Sequence, residues 1–98
     1  MKATMNNKVI ADSNDTVYIE GNHYFPPGSV KKEYLSPSDM HTTCPWKGEA
    51  NYYSITTDNH EEQNAAWYYP KVSDMAKDRV GTDFSNYVAF YKNKVTVQ

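Results

Sequence analysis

The chain contains one cysteine, Cys44, so no internal disulfide can brace it. It has no apolar run of membrane length, and its opening residues, Met1 through Asn7, are polar, unlike a secretory signal. The expectation is a cytoplasmic protein without a membrane segment. It also lacks a basic field. Ten Lys and Arg stand against twelve Asp and Glu for a formal net charge of −2, and the lysines are scattered. Phosphate contacts need a clustered basic face, so no nucleic-acid partner is expected. A metal would need Cys44 together with His23, His41 or His60, of which only His41 is near it in sequence. No paired C-x-x-C knuckle exists to begin a zinc site, so neither metal nor cofactor is expected.

Leucine is scarce, whereas nine Tyr, three Phe and two Trp are present among 98 residues. Each aromatic can bury about 150–250 Å², so this set can build one core with little aliphatic help. Aromatic and β-branched enrichment favours strands. The length fits a single domain over residues 1–98.

Short β-type runs recur along the chain. Lys8–Asp12 and Thr16–Glu20 flank the turn former Ser13-Asn14-Asp15 and read as a hairpin. Tyr24-Phe25 ends a strand at Pro26-Pro27, because proline gives no donor to a ladder. Ser29 is positioned to cap a helical turn through Glu33. Tyr34–Asp39 reads as a strand fragment stopped by Pro37, and Met40–Gly48 as a loop. Ala50–Thr57 alternates, with Ala50, Tyr52 and Ser54 on one face and Tyr53, Ile55 and Thr57 on the other. Asp58–Glu62 is a charged turn, and Ala65–Tyr69 a strand ending at Pro70. Ser73–Asp78 is a short helix with Ser73 or Asp74 at its start. Tyr87–Tyr91 and Val95–Val97 read as a terminal hairpin. The layout is all-β, with six or seven short strands and one or two helical turns.

Tyr24-Phe25-Pro26, Ser38-Asp39 and Thr43-Cys44-Pro45-Trp46-Lys47-Gly48 resemble the pattern of a bacterial family known as domain of unknown function 427. Ala50-x-Tyr52-Tyr53, Ala66-Trp67-x-Tyr69-Pro70 and Val88-Ala89-Phe90 match it too, so the resemblance runs from Val9 to Val97. It implies a small β-tent-like or open-barrel fold, similar to zinc-binding chaperone-like domains and methionine sulfoxide reductases. Those zinc proteins use two cysteine pairs, which one cysteine cannot supply. An older family name suggests a nucleotidyltransferase. That chemistry needs paired acidic residues holding two metal ions. Gly28-Ser29 is followed by no Asp-x-Asp, and Asp12, Asp15 and Asp39 are dispersed, so the name is set aside.

Polar, cationic and aromatic side chains concentrate between residues 38 and 48. Cys44 is either a small buried hydrophobe, as free cysteines commonly are, or a thiolate nucleophile. In the second case His41 would be its base and Lys47 its electrostatic support. Trp46 can form a pocket wall and Trp67 either a wall or core. Gly48 fits a positive φ at the loop exit, and Asp39 fits either a loop cap or an orienting partner for His41. No complete catalytic set is visible, so enzyme activity is left open. The first reading is a domain binding a small molecule or peptide in a cleft between residues 38–48 and Tyr52 and Trp67, with Asp39, Cys44, Trp46 and Lys47 contributing. The alternative is a small enzyme using Cys44. Homodimerisation through a Tyr-rich sheet face is compatible with both.

Overall fold

In the computed structural model, which describes residues 1–98, the polar opening residues form strand β1 (Lys2–Met5). Asn6 and Asn7 then both take positive φ, 53° and 64°, and lead into β2 (Lys8–Asp12). Asn tolerates that backbone region, and a two-residue turn of this kind matches the twist of paired strands. β2 therefore pairs antiparallel with β1, from Met5 opposite Lys8 to Lys2 opposite Asp12. The hairpin expected around Ser13–Asp15 does not form, since Ser13 Oγ accepts the Asp15 N–H in a local turn at 2.9 Å. The next run, β3 (Val17–Ile19), turns at Glu20-Gly21, with φ of 52° and 84°, and pairs with β4 (Asn22–Tyr24).

After Phe25 two 3-10 turns, Pro27–Ser29 and Lys32–Tyr34, carry the chain to the main sheet. Ser29 does not cap a turn through Glu33, because its hydroxyl donates to Pro26 O at 2.7 Å. The main sheet has the order β5 (Leu35–Cys44), β6 (Gly48–Thr57), β7 (His60–Tyr68), β8 (Val88–Phe90). The segment expected to be a proline-stopped fragment and then a loop is one edge strand. Pro37 is tolerated there because an edge leaves half its backbone groups without ladder partners. Its alternation is weak because most of β5 is exposed. Ser73 caps α1 (Asp74–Val80), its hydroxyl accepting the Ala76 N–H at 3.1 Å, and Gly81 ends it at φ 92°. The expected terminal hairpin is also absent. The N–H groups of Lys94 and Val95 both return to Tyr91 O, and this turn sends β9 (Thr96–Val97) to pair with β1 instead. Strands take 52% of the residues and helices 13%, in nine strands and three sheets without a closed barrel. The fold is mainly β, and no helix is long and apolar enough to cross a membrane.

Two apolar clusters lie on opposite faces of the main sheet. One holds Ile55, Ala66, Val88 and Phe90 against Ala3, Ile10 and Phe25. The other holds Ala50, Tyr52, Tyr69 and Ala89 against Tyr24, Ala76 and Phe84. β6 serves both by burying Ala50 and Tyr52 early, then Ile55 and Thr57 on the other face later. Thr57 is 1% exposed and its hydroxyl has no hydrogen-bond partner. An unsatisfied buried hydroxyl is costly, so Thr57→Val is expected to stabilise the fold by about 1 kcal/mol in urea unfolding.

Candidate functional site

Cys44 and Gly48 pair across the β5–β6 end, and Pro45-Trp46-Lys47 form the connecting tip. Gly48 has φ 125°, as the sequence suggested, and a Cβ there would come within 2.9 Å of Lys71 O. The tip is docked onto the start of α1. The Ser73 hydroxyl donates to Trp46 O at 2.6 Å, and the Ser73 N–H donates to Lys47 O at 3.1 Å. Lys47 is 5% exposed. Its ammonium pairs with the Glu20 carboxylate and lies 4.5 Å from the Trp46 ring centre and 5.7 Å from that of Tyr69. Burial works against the charge of Lys47, but the Glu20 hydrogen bond and the neighbouring Tyr24, Cys44 and Glu20 hold its pKa above the ordinary value. Arg79 lies 4.7 Å from the half-buried Trp46 ring, a second cation on the same indole.

Cys44 is free and half-buried. Burial pushes its thiol pKa up. The backbone N–H groups of Trp46 and Lys47 and the Lys47 ammonium together outweigh that effect and leave it below the ordinary thiol value. Lys47 thus stands beside Cys44, whereas His41 does not. Thr42 and Cys44 lie on the Tyr52 face of β5, where the Thr42 hydroxyl and Tyr52 phenol are 2.9 Å apart. Strand alternation puts His41 on the opposite face. There its Nδ1 is 2.8 Å from Asn51 Oδ1 and 3.9 Å from the Glu49 carboxylate. His41 is thus no base for Cys44. Asp39 is exposed in the edge strand and makes no ion pair or side-chain hydrogen bond, so it does not orient His41. No three His, Cys, Asp or Glu side chains converge into a ligand set for a metal.

The concavity beside β5 lies further along the strand. β5 is irregular between Pro37 and His41, and β6–β7 between Tyr53 and Ile55. Such bulges bend their strands and redirect side chains. They are tied together at Asn64, which has φ 52°, donates its N–H to Ser54 Oγ at 3.2 Å, and accepts the Ser38 hydroxyl on Oδ1. Beside these bulges Met40, Tyr52, Asn64, Tyr91, Asn93 and Lys94 line a cleft of about 340 Å³. That is the low end of the range of small-molecule sites, about 300–1,000 Å³. Met40 is 41% exposed and Tyr91 36%. Tyr91 packs on Trp67 at 4.7 Å between ring centres, and lies near-parallel to Tyr52 at 6.4 Å. Burial and the adjacent Tyr52 phenol push the Tyr91 pKa up to about 12, so it is un-ionised at physiological pH. Trp67 Nε1–H donates to the Tyr24 phenol at 3.1 Å, which fixes the indole behind Tyr91. A wider groove of about 700 Å³ runs past Thr4, Asn6, Asn7, His60 and Thr96, sharing Lys94 with the cleft. A third hollow of about 190 Å³ lies at Tyr18, His23 and Phe90.

Of the residues singled out from sequence, Tyr52 lines the cleft and Trp67 supports its wall. Cys44, Trp46 and Lys47 line none of the three concavities and gather at the hairpin tip instead. Sequence reasoning missed Met40, Asn64, Tyr91, Asn93 and Lys94 in the cleft, and Glu20 and Arg79 at the tip. Only Asn64 carried a usable signal, as a residue suited to positive φ inside a strand run. Among curated proteins no match was found. The model of the family described as Domain of unknown function (DUF427) matches residues 1–98. The chain belongs to the DUF427 family.

Proposed function

We propose that this domain binds a small molecule in the cleft bounded by Met40, Tyr52 and Tyr91. The observation that carries the reading is an exposed thioether and an exposed phenol ring facing a cleft rimmed by two amides and an ammonium. Apolar walls with a few convergent polar groups are the usual make-up of small-molecule sites. Tyr52 and Trp67 are shared with the site inferred from sequence, while the cysteine tip lies outside it. Tyr91→Ser removes the exposed wall without opening the deeper core. Ligands found by fragment screening are expected to lose about tenfold or more in affinity to Tyr91→Ser, since burying an aromatic face is worth over 1 kcal/mol. Unchanged affinity would remove the cleft from consideration.

A second reading, a thiol-based enzyme, is favoured by the lowered pKa of Cys44 beside a buried ammonium. The thiolate is the nucleophile, so iodoacetamide alkylation follows its population. The alkylation rate of the folded protein is expected to rise to its plateau at lower pH than that of the urea-unfolded chain. Lys47→Met is expected to move that midpoint upward. Coincident profiles for folded and unfolded protein would eliminate this reading.

A further inference from the structure

We infer that the ligand of this cleft is a small aromatic anion whose charged group is held at Lys94; this rests on the cleft reading above. No carboxylate lines the cleft, and Lys94 is its one formal charge. Lys94 Nζ donates to Gln63 O at 2.8 Å, which anchors the ammonium at the rim and leaves two of its three donors unassigned. The Asn64 and Asn93 amides stand on the same lining. Asn64 Oδ1 already accepts the Ser38 hydroxyl, so its NH₂ is the end left for a ligand. The polar inventory is therefore biased toward donors, which suits an acceptor-rich group. The apolar part of the lining is the Met40 thioether and the Tyr91 ring, backed by Trp67, which suits a flat ring.

Lys94 also borders the wider groove formed with Thr4, Asn6 and Asn7, so the anion lies where the two concavities meet. A ring substituent beyond the anion would extend into hydroxyls and amides instead of protein core. A point-charge ammonium does not by itself choose between carboxylate and phosphate. Both are therefore tested.

The experiment is amide chemical-shift titration of the full chain with benzoate, phenyl phosphate and the neutral isostere benzamide, at low and high salt. Benzoate or phenyl phosphate is expected to bind about fivefold tighter than benzamide, with shifts at Met40, Tyr91 and Asn93; a partly exposed ion pair supports a difference of this order. The preference is expected to shrink at high salt. In Lys94→Gln, whose fold is checked by its thermal midpoint, anion and amide are expected to bind equally. Equal binding of all three probes at the cleft in the native chain would overturn the anion inference and leave the cleft reading standing. Retention of the preference in Lys94→Gln would overturn the assignment to Lys94. Absence of cleft shifts with every probe would overturn the cleft reading together with this inference. Whichever anion binds tighter identifies the charged group.

Discussion

Gly48→Ala is expected to destabilise the domain by about 3 kcal/mol, seen as a fall in the urea midpoint with an unchanged m-value. Two costs add. At φ 125° an L side chain is strained, and the new methyl would lie 2.9 Å from Lys71 O, a backbone atom that cannot swing aside. Lys71 precedes the Val72-Ser73 entry to α1, and the Ser73 N–H and hydroxyl hold Lys47 O and Trp46 O. Relief of the clash must therefore pull the hairpin tip away from the helix start. Loosening the tip also weakens the N–H groups facing Cys44, so the same variant is expected to raise the thiol pKa. A loss below about 0.5 kcal/mol would mean that the tip and α1 are not rigidly docked.

Glu20→Ala is expected to cost about 2 kcal/mol, more than Lys47→Met, although Glu20 is the more exposed partner. Removing the carboxylate strands an ammonium whose side chain is 6% exposed, whereas Lys47→Met removes the charge and keeps most of the packing on Trp46 and Tyr69. Breaking a fully buried pair costs about 3–5 kcal/mol, and the lower figure here reflects water reaching Glu20, which is 57% exposed. Once Lys47 is methionine, Glu20→Ala is expected to cost almost nothing. A double-mutant cycle thus gives a coupling of about 2 kcal/mol. Equal and additive costs for the two single changes would contradict a buried Lys47 charge.

Local chemistry carried far in the sequence where one residue's backbone preference decides the structure. Ser73 at the start of α1, the alternation of Ala50–Thr57 and the positive φ of Gly48 were legible for that reason, whereas the charged turn expected over Asp58–Glu62 is only Asp58-Asn59, because His60–Glu62 pair with β6 as the start of β7. Partner choice between strands was not legible. Lys8–Asp12 has two possible neighbours, and the Asn6-Asn7 turn wins over Ser13–Asp15 because its backbone twist suits a two-residue hairpin. Tyr87–Tyr91 and Val95–Val97 are adjacent in sequence, but the turn onto Tyr91 O separates them, and no pattern of side chains encodes that. Edge strand β5 hid because an exposed edge needs no alternation.

The site was legible in part for a related reason. Cys44, Trp46 and Lys47 carry the most marked chemistry in the sequence and so point to a working surface there, yet they direct that chemistry at one another and at Glu20, Arg79 and Ser73. The cleft is made by two bulges, and a bulge is a property of paired strands. Tyr91 and Lys94 come from a turn about forty positions from Tyr52 in sequence. Nothing within one segment announces that they meet Met40.

The most direct measurement is amide chemical-shift mapping of the native chain against a small fragment library. Binding in the bulge-lined cleft requires that the responsive amides cluster at Met40, Tyr52, Asn64, Tyr91 and Asn93, with Cys44–Gly48 largely silent. Responses gathered at Cys44–Gly48, or spread without relation to the cleft, would contradict it.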